Sequence, residues 1–490
     1  MLFHSLSFVI FFVVIYSLYL VLDHKRQKWL LLLANFIFYA VWDWRFLPLI
    51  LISPLLGYIC GLKISEARHM YERQLILFIN ILVNLTILGI FKYYNFFASN
   101  LQRLLNTFGL LTQIRFFELV LPLGISFYTF QVMSYTIDVY RGHIKPTKNF
   151  LDLALYITFF PLLAAGPIER AGRMLPQFEV KRTFDYESVA AGFKLFAWGL
   201  FKKVVIADRL AVFVNYVYNN PFEYQGISLI VATVFFTFQL FCDFSAYSDM
   251  AVGIARVMGY ELIQNFNHPF SAASVSGFWR RWHVSLTTWI TDYVYMPLAL
   301  QLRDWGNFGV VVALTGSFFL VGLWHGAGWT YITFGLLHGI VLSLEVLTRK
   351  ARKILRKSFA PFLYNTVGTI FTFCFFSFSL IFFRSKNMNE AFYIASHLFS
   401  GLPDFLTHLN EIRVVRQNIL LGQYKWDFVV AVSLICVLEC VHFVQRKYGS
   451  IAELTARLPV WLRWPSYYAF VLSIMFLGVF NQSAFIYFQF

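Results

Sequence analysis

The sequence predicts an all-α protein that crosses a membrane many times, and three observations predict this class. Of its 490 residues, 59% are hydrophobic and only 13% are charged, which is more apolar surface than one soluble core can bury. Apolar runs of about 17 to 25 residues, the length that a helix needs to cross a bilayer, recur along the chain. No linker or change of composition separates a soluble domain, so residues 1–490 are expected to form a single transmembrane domain.

The apolar runs give the expected membrane spans in chain order. Shorter apolar stretches at 29–42, 151–165 and 190–207 include candidates for segments that enter the membrane and turn back. Together the runs predict about ten to twelve spans. The runs of full length cover approximately residues 5–22, 46–62, 75–91, 117–136, 227–242, 308–323, 329–347, 365–383, 427–443 and 466–482.

Basic residues beside these runs predict the orientation of the chain. The first run has Lys25, Arg26 and Lys28 after it and no basic residue before it, which is the reverse of a secretory signal. Basic loops stay in the cytoplasm, so the N-terminus is expected outside. The loop at 349–357, with six basic residues and no acid, is likewise expected in the cytoplasm. Counting spans from there carries the C-terminus, and Tyr487 with it, to the outer side.

The net charge of +15 does not indicate a nucleic-acid partner, because the basic residues lie beside apolar spans. Cytoplasmic retention of basic loops and attraction to anionic headgroups account for such a charge. The expected surroundings are therefore a lipid bilayer. The five cysteines show no metal-ligand spacing, and no metal is expected.

Ionisable residues inside apolar sequence are costly, and they concentrate between residues 238 and 339. The simplest interpretation of the acids is that they pair with an arginine such as Arg256, Arg280 or Arg281 and fix helix register. The ionisable residues of this region that we consider are Asp243, Asp249, Arg280, Arg281, His283, Asp292, His325 and His338.

The histidines differ in their surroundings. His325 lies in "GLWHGAGW", where glycines permit close approach of backbone and of another molecule. On one continuous helix, His338 would lie roughly 20 Å further along on a nearly opposite face, so a structural role is expected for it. His283 belongs to a separate segment and is free to approach His325. Histidine suits acyl transfer, because it can take a proton from a hydroxyl near neutral pH and return it to a leaving group. Without a Gly-x-Ser-x-Gly elbow, a covalent serine enzyme is not expected.

Six stretches in the middle half of the chain carry a family resemblance. They are "LPLGISFYTFQVMSYTIDVYRG", "FFPLLAAGPIERAGRMLPQ", "DFSAYSDMAVGIARVMGY", "NFNHPF", "FWRRWHVSLTTWITDYVYMPL" and "GLWHGAGWTYITFGLLHG". In order and spacing they resemble the membrane-bound O-acyltransferase (MBOAT) family. More narrowly, they resemble its bacterial branch with the membrane subunits of alginate and peptidoglycan O-acetyltransferases.

The resemblance implies a fold and a site. It implies about eleven spans with re-entrant segments around a centre where a cytoplasmic tunnel and an external funnel meet. The family's catalytic histidine falls on His325, and a second conserved position falls on His283. The span count puts His325 near the outer edge of the membrane, whereas the family places it deeper. A turn at the glycines, or a helix continuing past residue 347, would reconcile the two.

The tail, residues 485–490 with the sequence "FIYFQF", is the last candidate element. In this branch of the family, such an aromatic segment accepts the acyl group on its tyrosine, which implies Tyr487 as the carrier. The alternative is an interfacial aromatic belt. The resemblance implies a cytoplasmic thioester donor, acetyl-CoA, and no metal. It also implies an external SGNH-type O-acetyltransferase as partner and location in a bacterial cytoplasmic (inner) membrane.

Two other functions remain open at this stage. D-alanyl transfer for teichoic acid modification would use a carrier-protein thioester, although that relative keeps its tyrosine on a separate small protein. A non-enzymatic transporter or flippase would use the polar cluster as a substrate path, but inverted hydropathy repeats of that class are not apparent. The acceptor polysaccharide, peptidoglycan or alginate, is not decided by any single residue.

Overall fold

Helices form all the regular secondary structure in the computed structural model, which describes residues 1–110, 113–408, 410–480 and 485–486. Within those residues no β-strand occurs, and the predicted all-α class is confirmed. The helices group into two units, one of residues 1–193 with 251–264 and one of residues 194–250 with 265–490.

Over its described residues, the first unit contains nine complete α-helices and the first half of a tenth. Ser5 and Asp23 cap the first two, each accepting a hydrogen bond from a backbone N–H of the first turn. The helices are α1 (Leu6–Val21), α2 (His24–Asp43), α3 (Leu47–Glu66), α4 (Met70–Leu88), α5 (Tyr94–Thr107), α6 (Ile125–Arg141), α7 (Phe150–Thr158), α8 (Phe160–Leu163), α9 (Ala171–Phe178) and α10 (Tyr186–Phe201).

Polar side chains in the first unit satisfy backbone and side-chain groups where a helix is interrupted. Buried Asn35 of α2 accepts a hydrogen bond from the N–H of Phe160 and donates to Thr158 Oγ1, at the break between α7 and α8. Lys28 pairs with Asp152 at 2.7 Å. Each contact removes the cost of an unsatisfied polar group in an apolar interior.

The second unit contains the remaining helices, of which α12 ends in the first unit. A π-helical turn, Lys202–Ala207, joins α10 to the next helix. The helices are α11 (Asp208–Tyr218), α12 (Ile227–Val257), α13 (Val275–Trp279), α14 (Val284–Ile290), α15 (Met296–Gln301), α16 (Gly306–His325), α17 (Trp329–Leu347), α18 (Arg349–Ser358), α19 (Pro361–Arg384), α20 (Met388–His397), α21 (Leu402–Thr407), α22 (Ile412–Asn418), α23 (Lys425–Tyr448), α24 (Ile451–Ala456) and α25 (Val460–Leu477).

Seven helical segments of the described chain are long and apolar enough to cross a bilayer. The first of them joins α2 and α3, which are 20 residues long each and therefore about 30 Å. The protein is thus a multi-pass membrane protein, while the expected count of about eleven spans stays a prediction. The seven segments are His24–Glu66, Met70–Thr107, Ile227–Val257, Arg303–His325, Trp329–Leu347, Pro361–Arg384 and Lys425–Tyr448.

Helices α16 and α17 form an antiparallel hairpin that turns at residues 326–328. Glycines allow the two backbones to touch: a Cβ on Gly339 would lie 2.8 Å from Thr315 Cα, and one on Gly335 would overlap the carbonyl oxygen of Phe318. Of the two alternatives that the sequence left open, the chain turns at the glycines, and α17 runs unbroken from Trp329 to Leu347. The hairpin fixes His325 at the end of α16.

We predict that Gly335→Ala destabilises the second unit, because the added methyl group must push α16 and α17 apart. Overpacking of this kind costs about 1–3 kcal/mol. Thermal unfolding of the detergent-purified protein measures the loss. The matched control is Gly316→Ala on α16, where the new Cβ would meet only Leu298 Cδ2 at 3.7 Å. That control should be neutral or stabilising by up to about 1 kcal/mol. Equal melting temperatures for both variants would contradict the prediction.

Candidate active site

His325, the last residue of α16, lies in an aromatic enclosure within the second unit. Its ring centroid is 4.9 Å from that of Trp324, 5.1 Å from that of Phe383 and 6.0 Å from that of Phe334. The side chain is 5% exposed. An imidazole held this way has a fixed ring plane and low-dielectric surroundings, in which an electrostatic interaction with a reacting group is stronger than in water.

His283 directly precedes α14 in a left-handed backbone conformation, with φ of 45°. Its Nδ1 lies 3.2 Å from Asn265 Oδ1, which also accepts hydrogen bonds from the backbone N–H and the hydroxyl of Ser285. Because Asn265 presents its oxygen here, His283 Nδ1 is the donor and Nε2 carries the lone pair. Burial lowers the pKa of His283 to about 3, so the ring is neutral. The unusual φ is of the kind found at functional sites.

The structure brings His283 and His325 together around one indole. The Trp324 ring is 5.8 Å from the His283 ring and 4.9 Å from the His325 ring. On its other side, His283 meets the ring of Phe244 at 4.7 Å. Both predicted site histidines therefore belong to one aromatic cluster, to which α12 contributes Phe244, α16 contributes Trp324 and His325, and the residue before α14 is His283.

His338 has hydrogen-bond partners at both of its ring nitrogens. Trp279 Nε1, which can only donate, gives a hydrogen bond of 3.1 Å to His338 Nδ1, and His338 Nε2 then donates to Ser379 Oγ at 3.0 Å. Both ring nitrogens are thereby used, which agrees with the structural role expected for this residue. The helix assumed between His325 and His338 was wrong, however, because the hairpin turn interrupts it.

The acids Asp243 and Asp249 of α12 pair with lysines and not with the arginines that the sequence suggested. Asp249 Oδ2 lies 2.7 Å from Lys202 Nζ, and Asp243 Oδ1 lies 2.7 Å from Lys203 Nζ. Lys203 also binds Asp208 at 2.8 Å. The expected arginine partners were wrong because the π-helical turn directs both lysines of the 202–207 segment toward α12.

The tail enters the second unit over the part that the structure describes. Phe485 and Ile486 are 1% and 9% exposed, and the Phe485 ring packs edge-on against Tyr247 at 5.0 Å. Tyr487 lies outside the described residues. Across the described ranges, no group of three or more His, Cys, Asp or Glu could hold a metal ion.

Comparison with known proteins shows which family this chain is similar to. The model of the membrane-bound O-acyltransferase family matches residues 142–385. A peptidoglycan O-acetyltransferase of Helicobacter pylori is 32% identical over 94% of this chain and 91% of its own length. A probable alginate O-acetylase of Pseudomonas putida is 34% identical over 100% of both chains. A teichoic acid D-alanyltransferase of Bacillus subtilis is 29% identical over 46% of this chain and 59% of its own.

The chain belongs to the membrane-bound O-acyltransferase family. It is therefore an acyltransferase, and the transporter alternative is set aside. The match to the family model includes His283, His325 and the elements that position them. As an MBOAT protein it uses an acyl donor, and its histidine pair lies inside the matched region.

Sequence reasoning missed two groups at this MBOAT site. Asn265, which orients His283, lies in the quoted stretch "NFNHPF", but an amide gives no pattern until its partner is known. Lys202 and Lys203 lie within a short apolar run. Two adjacent lysines inside apolar sequence are costly, and they could have indicated buried acidic partners. The α12 partner of Lys202 is Asp249, 47 residues away, and that of Lys203 is Asp243, 40 residues away.

We predict that the buried neutral His283 makes the MBOAT fold less stable as the pH falls. The ring has a pKa of about 3 in the folded protein and about 6.5 when unfolded, so below pH 6.5 the unfolded chain binds more protons. This contribution amounts to about 2 kcal/mol at pH 5 and is absent above pH 7. Melting temperatures between pH 5 and 8 measure it. His283→Gln, which cannot titrate, should have a shallower pH slope, and an unchanged slope would refute the assignment.

Proposed function

We propose that this protein transfers an acetyl group from cytoplasmic acetyl-CoA to Tyr487, from which an external SGNH-type O-acetyltransferase moves it to a polysaccharide. The observation that carries the proposal is the burial of Phe485 and Ile486 in the unit that holds His283 and His325. An interfacial belt would leave such aromatic and aliphatic side chains at the lipid surface. Burial next to the histidine cluster suits a reacting segment.

The distribution of charge supports an outward path for the acetyl group. Helix α18 has six basic residues and no acid, has no buried side chain and therefore suits the cytoplasmic face of an inner membrane. Counting the long apolar helices from α18, α19 leads outward, α23 returns and α25 leads outward again. The tail and the N-terminus are then on the outer side. Moving only an acetyl group avoids the cost of carrying the phosphates of CoA through a bilayer.

The chemistry needs one base and one nucleophile. His325 accepts the phenolic proton of Tyr487 while Tyr487 Oη attacks the carbonyl carbon of the thioester. The C–S bond breaks, a C–O bond forms, and the imidazolium returns its proton to the departing thiolate. His283 packs against the same Trp324 ring and, through its neutral Nε2, helps orient the groups at the site. The thiol has a pKa near 8.5 and the phenol near 10, so each successive leaving group is a weaker acid. A sugar hydroxyl is a weaker acid than phenol, so the last transfer follows the same order of acidity.

The acceptor follows from the relatives that the chain resembles over nearly its full length. One is a peptidoglycan O-acetyltransferase and the other a probable alginate O-acetylase, so we propose one of these polymers as the final acceptor. The teichoic acid relative favours a second candidate, D-alanyl transfer, but its similarity covers less than half of this chain. Acetyl transfer is therefore the main proposal.

We predict that acetyl-CoA leaves one acetyl group on Tyr487 and that this adduct requires His325. Intact-mass and C-terminal peptide mass spectrometry of the purified full chain measure it. Both His325→Ala and Tyr487→Phe should lose the adduct, because one lacks the base and the other the nucleophile. We expect a loss of at least about 10²-fold for the base variant.

The matched control is His338→Gln, which can accept from Trp279 and donate to Ser379 while it changes a histidine outside the site. It should keep the adduct. A D-alanyl carrier thioester, supplied in a parallel reaction, tests the second candidate. If neither donor labels Tyr487 in the folded wild type, the carrier function is refuted.

A further inference from the structure

A buried ionic cluster in the second unit has no role in the chemistry described above. Lys203 Nζ binds Asp243 Oδ1 at 2.7 Å and Asp208 Oδ1 at 2.8 Å, and the three side chains are only 1%, 3% and 5% exposed respectively. With two acids and one base, the cluster carries one more negative than positive group. Burying such a cluster is costly unless its remaining lone pairs are used.

The second oxygen of Asp243 binds the tail. The backbone N–H of Ile486 donates a hydrogen bond of 2.7 Å to Asp243 Oδ2. A carboxylate that accepts from a backbone N–H makes a charge-assisted bond, which is stronger than one between neutral groups. Asp243 therefore divides its two oxygens between the cluster and a segment 243 residues away in the chain.

Two further contacts hold the residue before Ile486. The Lys203 ammonium lies 4.8 Å from the centroid of the Phe485 ring, and Tyr247 meets the same ring edge-on at 5.0 Å. Asp243 and Tyr247 are four residues apart on α12 and thus lie on the same face of that helix. Side chain 485 and backbone 486 are therefore fixed together by one helix face and one lysine.

The anchor lies next to the histidine cluster. Phe244, the neighbour of Asp243, packs its ring against His283 at 4.7 Å. The residue after Ile486 is Tyr487, whose Cα is about 3.8 Å along the chain. A slip of one residue in the anchored position would move the phenol by the rise of one residue, which is about 2 Å in a 3-10 turn and about 3.3 Å in a strand. Misplacement by about 1 Å can already reduce a rate 10²-fold.

We infer that Asp243, held by Lys203, is a positioning residue that sets the register of the tail by accepting the hydrogen bond from the Ile486 N–H. The inference rests on the proposed carrier role of Tyr487. Asp243 takes no part in the acyl chemistry itself. It determines which tail side chain reaches the histidine pair.

The test removes the hydrogen-bond donor, the Ile486 N–H, and leaves the side chains of the ionic cluster unchanged. Ile486→Pro lacks the N–H, and Ile486→Val is the matched control that keeps it. Acetylation of Tyr487 by acetyl-CoA is timed in full-length protein by mass spectrometry. We expect the proline variant to lose about 10-fold to 100-fold in the maximal rate constant of Tyr487 acetylation, with an unchanged half-saturating concentration of acetyl-CoA and an unchanged melting temperature. The valine variant should stay within about twofold of wild type.

Hydrogen exchange gives a second readout that needs no acetylation. In wild type, the Ile486 amide should exchange slowly in C-terminal peptides, and Asp243→Asn should accelerate it at least about 10-fold. Fast exchange in folded wild type would overturn the inference whatever the variants do.

The two proposals fail in different ways. Absence of an adduct on wild-type Tyr487 removes the carrier function, and the positioning role falls with it. A normal wild-type adduct together with a proline variant that is acetylated at the wild-type rate constant overturns the positioning role alone. If the proline variant melts early, the hydrogen-exchange comparison between wild type and Asp243→Asn decides.

Discussion

The second unit depends on one constraint: charges inside an apolar protein must find partners there. The π-helical turn Lys202–Ala207 places two lysines side by side, and each reaches an acid of α12. Lys202 also donates to Ser245 at 2.8 Å. These bonds fix the rotation of α12 about its own axis. Because α12 carries Phe244 against His283, the same constraint sets one wall of the histidine cluster. π-helical turns are frequent at functional positions.

His283, His325 and His338 differ in their chemical roles because their neighbours differ. Between an indole donor and a hydroxyl, His338 has a settled tautomer with both nitrogens engaged. Asn265 fixes the opposite tautomer in His283 and leaves its lone pair on Nε2. Aromatic rings pack around His325. Histidine roles in this protein are thus set by hydrogen-bond donors and acceptors that sequence proximity does not reveal.

The sequence predicted the properties that depend on composition and local pattern. Long apolar runs gave the all-α membrane class, while the choice between a turn at the glycines and a longer helix stayed open until the structure showed the turn. The lysine–aspartate ion pairs could not be predicted from the sequence, because Lys203 and Asp243 are brought together by the packing of α12 against the 202–207 turn. Tyr487 and the span count of about eleven remain predictions. The role of Asn265 required knowing where the backbone of Ser285 lies.

Over its described residues, the chain after α25 is attached through its main chain at Val479 and at Ile486. The N–H of Val479 donates to the carbonyl of Val204 at 2.8 Å, as the N–H of Ile486 does to Asp243. Main-chain donors are present in every residue except proline. Side chains at these two positions can therefore drift during evolution without loosening the attachment. Homologues that keep it need share no residue identity at either place, and only proline there would mark its loss.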